Sequence, residues 1–263
     1  KLATLCSKNF PEINNMHWDY KKIDNIEIKH RSVWNSEFDI PENIIDVVRV
    51  LNSSIILKTI SNIFKIPKIL PDPYFLGGCL NISERGGTLN THIDGNYNDQ
   101  TGLNRRLNSL VYLTKNWKKK YGGELGFYNK NGTKLIKLIE PKFNRLVIFN
   151  TNDYSYHGIP NKISYPKTNP RKSVILYYYT KDDRKKSEIK IKNPHSALWV
   201  KKKYKDHNNR STRKYYWSIN LFKSIIIFLY SNLFLILLVF LWEKFFNILL
   251  FFNILTIFLV AFL

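Results

Sequence analysis

At 263 residues the chain has room for one catalytic-sized domain with appendages, and its 41 Lys and Arg against 20 Asp and Glu give a formal charge of +21. That excess would ordinarily suggest nucleic acid. Here Lys, Asn, Ile, Phe and Tyr rise together along the whole chain, no nucleic-acid module is legible, and Arg105-Arg106 is too short a run to serve as one, so nucleic acid is not an expected partner. Cys6 and Cys79 are the only cysteines, which excludes a disulfide framework and points to a reducing compartment.

The chain opens at Lys1 rather than methionine, which leaves its start open. Residues 1–39 mix aromatics and charges without a period, and mostly irregular structure is expected. Pro41-Glu42 then precedes Ile44, Ile45, Val47, Val48 and Leu51, a spacing that predicts an amphipathic helix with proline in its first turn. A second helix is predicted over 55–64, and Pro67, Pro71 and Pro73 close this N-terminal helical and irregular support region, 1–73.

From 74 to 180 short apolar runs alternate with Gly, Asn and Pro turns. Strands are predicted over 75–83, 88–93, 107–113, 124–128, 134–139, 145–150, 156–159 and 172–179. The fold class expected is mainly β with flanking helices: a double-stranded β-helix, or jelly roll, followed by a C-terminal hydrophobic helical hairpin.

Within this region His92 and Asp94 are two residues apart, so on an extended chain they share a face. A third ligand has to come from a distant strand, and His157 follows the apolar run 145–150 and a short polar turn. Two imidazoles and one carboxylate leave half a metal's coordination positions open, which is the donor set of non-haem Fe(II) oxygenases. Arg171 and Ser173 are again two apart as they enter the last strand, one fork and one hydroxyl facing the same way and able to hold a carboxylate. Arg171 is preferred to the adjacent Lys172 because its planar fork fits a carboxylate and its parity matches Ser173.

Between the first and third ligands stand Leu107-Asn108-Ser109-Leu110-Val111-Tyr112-Leu113, then Asn116-Trp117, then Gly122-Gly123-Glu124-Leu125. With H-x-D, H and R-x-S around them in this order, residues 74–180 resemble the Fe(II)/2-oxoglutarate-dependent dioxygenase superfamily, in its prolyl 4-hydroxylase-like branch. The resemblance implies that His92, Asp94 and His157 bind iron and that Arg171 pairs with the distal carboxylate of 2-oxoglutarate, with hydroxyl contacts from Ser173 and Tyr112. It further implies hydroxylation with release of succinate and CO2, a peptidyl proline as first candidate substrate, and L-ascorbate as a reductant for oxidised iron. The loop 158–170, with Pro160, Pro166 and Pro170, is longer than in compact members. Gly122-Gly123 is read as a turn without chemistry, and His17, His30, His195 and His207 as solvent-facing. The loop 95–106, with Asn96, Tyr97, Asn98 and Arg105, is expected to line the entrance, where its polar and cationic content suits an anionic or hydrogen-bonding substrate such as a sugar or lipid headgroup.

Residues 181–218 form a basic linker, and 219–263 contain two long apolar runs, 225–242 and 245–263, separated by Glu243-Lys244. Each approaches the roughly 30 Å of a bilayer's hydrocarbon, which predicts a transmembrane helix or hairpin. Basic residues before the first run orient the catalytic domain toward the cytoplasm. The alternative from another functional class is a membrane-tethered, noncatalytic jelly-roll scaffold.

Overall fold

The computed structural model describes residues 1–14, 18–23 and 26–200. The basic cluster after 200 and the hydrophobic hairpin expected over 219–263 lie outside the described residues. Among those described, no helix is long and apolar enough to cross a membrane.

In chain order the elements are α1 (Leu2–Lys8), β1 (Trp18–Ile23), β2 (Glu27–Ser32), α2 (Glu42–Leu51), α3 (Ser54–Phe64), β3 (Leu70–Pro71), β4 (Cys79–Ser83), β5 (Thr88–Ile93), β6 (Tyr97–Asn98), β7 (Leu103–Tyr112), β8 (Leu125–Tyr128), β9 (Leu135–Ile139), β10 (Arg145–Asn150), β11 (His157–Ile159), β12 (Arg171–Thr180) and β13 (Leu198–Trp199). α2 starts at the predicted proline, with Glu42 in its first turn and Arg49 in its last, each at the dipole end that favours its charge. Its apolar residues Ile44, Ile45, Val47, Val48 and Leu51 are all buried. They pack with Cys6 and Phe10, and with Leu80, Ile82, Val111, Leu113, Val174 and Leu176 from β4, the β7 end and β12, so the first two helices cover the outer face of that sheet. Burial of each such aliphatic side chain contributes about 1.5–3 kcal/mol relative to exposure. α3 is capped by the Ser53 hydroxyl, which accepts from the Ile56 amide, and it ends at Lys65 in the left-handed conformation.

All strand pairings are antiparallel, and the main path runs β10-β7-β12-β4-β2-β5-β11-β8-β9. This is mainly antiparallel β structure consistent with a jelly roll: two four-stranded sheets, β10-β7-β12-β4 and β5-β11-β8-β9, with β2 between them. β2 pairs with β4 through His30 and Arg31 and with β5 through Glu27 and Ile28. Side chains from both sheets meet in one cluster, Leu110, Tyr112, Phe149 and Ile175 from the first with Leu125, Phe127 and Ile139 from the second.

Several boundaries differ from expectation. The strand expected from 75 begins only at Cys79, because both carboxylate oxygens of Asp72 accept backbone amides, from Tyr74 and Leu76, and wind the chain into a turn that carries Phe75 at positive φ. β7 starts four residues before the predicted 107, since Leu103 and Asn104 pair with β6. The N-terminal region, expected to be mostly irregular, supplies β1 and β2. Residues 181–200, expected as part of a solvated linker, pack back on the domain. Arg184 is buried and donates to Asn150 Oδ1, the Thr151 carbonyl and the Arg105 carbonyl, and β13 pairs with β5.

Candidate active site

β5 and β11 lie side by side with His92 opposite His157, although the two are far apart in sequence. Asp94 follows β5 directly, and Asp94 Oδ1 lies 3.6 Å from His92 Nε2 and 3.8 Å from His157 Nε2. One ligand atom from each of the three residues lies within 4.8 Å of the others, and all three residues are buried. They are the one such group among the described residues.

The local backbone fixes which imidazole nitrogen is available. His92 Nδ1 is 2.8 Å from the Asn90 carbonyl oxygen and His157 Nδ1 is 3.0 Å from that of Ser155. A carbonyl only accepts, so each Nδ1 carries a proton and each Nε2 is the nitrogen left to face Asp94. The same device occurs twice because both histidines sit two residues after the carbonyl they bond. Burial, followed by the neighbouring His92, pushes His157 down to about 4, which keeps the imidazole neutral at physiological pH. Burial opposes ionisation of Asp94, but His157 and then His92 hold its carboxyl well below the usual carboxylate range. The donor set is two imidazole nitrogens and one negative oxygen, which fits a divalent first-row metal and leaves part of its coordination sphere to other ligands.

Asn108, on the same face of β7 as Tyr112, donates from Nδ2 to Asp94 Oδ2 at 3.0 Å. That bond holds one carboxylate oxygen and leaves Oδ1 toward the imidazoles. Two aromatic rings wall the site: Trp199 of β13 lies against His92 with centroids 4.5 Å apart, and Phe149 meets His157 edge-on at 4.7 Å. Arg105 lies over the Tyr177 ring at 4.0 Å and donates from Nε to the Tyr179 hydroxyl at 3.2 Å, so one cation of the expected entrance loop is held against β12.

The three residues expected to hold a carboxylate also lie together. Ser173 on β12 stands opposite Tyr112 on β7, and the Arg171 guanidinium lies 4.9 Å from the Tyr112 ring centroid. Arg171 Nε donates to the Gly123 carbonyl at 2.9 Å. Arg171, Tyr112 and Ser173 are all buried, and neither Tyr112 Oη nor Ser173 Oγ has a hydrogen-bond partner. Buried hydroxyls without partners are costly, and here they flank a buried guanidinium. That combination fits the carboxylate end of 2-oxoglutarate.

The sequence reading missed three participants. Asn108 was within reach, since it shares the parity of Leu110 and Tyr112 along one strand. Gly123, read as a bare turn, turns out to hold Arg171 through its carbonyl. Trp199 owes its position to the returning segment that pairs with β5, which leaves no periodic signal. Two histidines expected to face solvent are instead paired: His30 Nε2 lies 3.1 Å from Glu84 Oε2, and His195 Nε2 lies 3.2 Å from Asp153 Oδ1 with its side chain only 7% exposed. The reason for the second is that Asp153, already accepting from the Lys190 and Ile191 amides, draws the returning segment onto the domain. His17 and His207 lie outside the described residues.

Residues 78–180 match the model of the 2OG-Fe(II) oxygenase superfamily. No curated protein matches the chain. Similar solved structures include a prolyl hydroxylase from Trichoplax adhaerens in complex with a hypoxia inducible factor oxygen degradation domain peptide fragment, 18% identical, covering 62% of this chain and 70% of that one with a TM-score of 0.45. A Pseudomonas putida prolyl-4-hydroxylase is 16% identical over 62% of this chain and 77% of its own, with a TM-score of 0.44. The viral collagen prolyl hydroxylase of Paramecium Bursaria Chlorella virus-1, in its 2OG complex, is 17% identical over 60% and 81%, with a TM-score of 0.39.

Proposed function

We propose that the chain is a 2-oxoglutarate-dependent dioxygenase, a reading supported by the match of residues 78–180 to the 2OG-Fe(II) oxygenase superfamily, and that it hydroxylates an organic substrate, with a peptidyl proline as the first candidate. His92, Asp94 and His157 would hold Fe(II), and Arg171, Ser173 and Tyr112 would hold 2-oxoglutarate by its distal carboxylate. When these are bound, the reaction consumes O2, oxidatively decarboxylates 2-oxoglutarate to succinate and CO2, and places one oxygen atom in a C–H bond of the substrate.

The protein's own contribution is placement and exclusion. The two imidazoles, fixed by carbonyls at Nδ1, need no rearrangement to offer Nε2. Asp94 supplies one negative charge, and Asn108 prevents it from turning away. Arg171 neutralises the far end of the cosubstrate and sets its direction, while Trp199 and Phe149 keep bulk water from the flanks of the imidazoles. The observation that carries the reading is the convergence of three ligand atoms within 4.8 Å, each with its second nitrogen or oxygen already bonded to the protein.

The order of motifs between His92 and Ser173, which resembles the prolyl 4-hydroxylase branch, supports proline as substrate, and ascorbate belongs to the same proposal as a reductant. The apolar sequence of 219–263 supports a membrane anchor with the domain on the cytoplasmic side, and flotation of the full chain with phosphatidylcholine vesicles tests it: recovery only in the dense fractions removes the anchor. The central test is an anaerobic titration with Fe(II) and then 2-oxoglutarate, followed by the visible charge-transfer band of the chelate, and by succinate release once O2 is admitted. Wild-type protein is expected to show both and Asp94→Ala neither. Equal behaviour of the two proteins would favour the noncatalytic scaffold.

A further inference from the structure

Tyr165 lies in the loop after β11, and none of the motifs above includes it. Its side chain is fully buried, and its hydroxyl has no hydrogen-bond partner. A tyrosine used only for packing normally turns its oxygen to a partner or to water.

The loop is fixed by several bonds. The Ser164 amide donates to the Tyr121 carbonyl at 2.8 Å, and the Gly86 amide donates to the carbonyl of Ile163, itself fully buried, at 2.9 Å. The Tyr121 and Tyr165 rings lie tilted against each other with centroids 5.4 Å apart, and Asn161 Nδ2 donates to Glu124 Oε2 at 3.0 Å. These contacts bring Tyr165 to Gly123 from the side occupied by Arg171: a Cβ added at Gly123 would meet both Tyr165 Cε2 and Arg171 Cδ at 3.1 Å. The absence of a side chain there lets the phenol and the base of the guanidinium stem lie against one turn.

We propose that Tyr165 is a cosubstrate-binding residue whose hydroxyl joins Arg171, Tyr112 and Ser173 around the distal carboxylate of 2-oxoglutarate. The proposal rests on the reading of the clamp given above. A carboxylate offers about four acceptor positions. Arg171 commits Nε to Gly123, which leaves its two terminal nitrogens, and Tyr112, Ser173 and Tyr165 present three buried hydroxyls without partners. Burial raises the Tyr165 phenol far above neutral pH, so it stays protonated and can donate. A carboxylate at this point would satisfy all three hydroxyls at once. Its attraction to Arg171 offsets the cost of burying the charge.

The test compares wild type, Tyr165→Phe and Arg171→Gln as Fe(II) complexes, titrated anaerobically with 2-oxoglutarate and with 2-oxobutyrate. The second keto acid keeps the chelating end and lacks the distal carboxylate. Tyr165→Phe is expected to raise the Kd for 2-oxoglutarate about tenfold, equivalent to about 1.4 kcal/mol and near the lower limit for one hydrogen bond to a charged acceptor. Its Kd for 2-oxobutyrate is expected to equal that of wild type. Its metal-free melting temperature is expected not to fall, because the oxygen removed bonds to nothing in the protein.

Unchanged 2-oxoglutarate affinity in Tyr165→Phe, beside a large loss in Arg171→Gln, would reduce Tyr165 to packing and overturn the proposal. Equal weakening toward both keto acids, or a lowered metal-free melting temperature, would overturn it too, since the lesion would then be in the fold or the metal end. If wild type itself binds no 2-oxoglutarate, the clamp reading falls first and the proposal with it. That result differs from the others in appearing without any substitution.

Discussion

Replacing Asn108 with leucine separates metal positioning from stability. Asn108 Nδ2 donates to the buried, ionised Asp94 at 3.0 Å, while its own Oδ1 is buried without a partner. Leucine, of similar size, removes both features. Loss of a hydrogen bond to a charged acceptor costs about 1.5–3 kcal/mol, whereas removal of an unsatisfied buried acceptor returns about 1–3 kcal/mol. The two oppose each other, so the unfolding free energy of the metal-free protein is expected to move by no more than about 1 kcal/mol in urea titrations. Metal affinity has no such compensation, because Asp94 without Asn108 is free to rotate Oδ1 away from His92 and His157. Outer-shell partners of this kind are worth about 10–100-fold in affinity, or about 1.4–2.8 kcal/mol. The assay is anaerobic Fe(II) competition against a chromophoric chelator. An Fe(II) Kd within twofold of wild type would refute the positioning argument, and so would a metal-free destabilisation of several kcal/mol, which would show that Asn108 mainly holds β7 in place.

Arg171→Lys keeps the charge but loses the fork and the bond to Gly123, so 2-oxoglutarate affinity in the anaerobic titration is expected to fall about tenfold or more; an unchanged Kd would show that charge alone suffices. His157 titrates at about 4 in the folded protein against 6.5 ordinarily. The unfolded chain therefore binds the extra proton first, and metal-free stability is expected to fall as pH drops from 6.5 to 4, by about 3 kcal/mol. His157→Gln should lose that part of the slope in urea unfolding, and an identical slope would count against it. Gly122→Ala places a Cβ against the Lys162 carbonyl at a positive φ, whereas Gly86→Ala meets nothing within 4 Å at its own positive φ. Strain alone is expected to cost Gly86→Ala about 1 kcal/mol, and Gly122→Ala about 3 kcal/mol or more with weakened 2-oxoglutarate binding; equal melting temperatures would contradict the close approach.

What the sequence determined by itself is what depends on near neighbours along the chain. β5 and β10 run over the residues predicted, 88–93 and 145–150, because alternation and flanking turn residues are local signals. The α2 helix follows its apolar spacing in the same way. The parity of His92 with Asp94 and of Arg171 with Ser173 needs only an extended backbone, so candidate ligands were legible before any pairing was known. What tertiary structure alone decided is which strand lies beside which. The β5–β11 register sets His157 opposite His92, and β12–β7 sets Ser173 opposite Tyr112. Asn108 gains its role only through Asp94, and Tyr165 and Trp199 only through a loop and a returning segment that reach the site from outside the motif block. Pairing register and loop packing are settled by burial and hydrogen bonding summed over the whole domain, and no short stretch of sequence carries that sum.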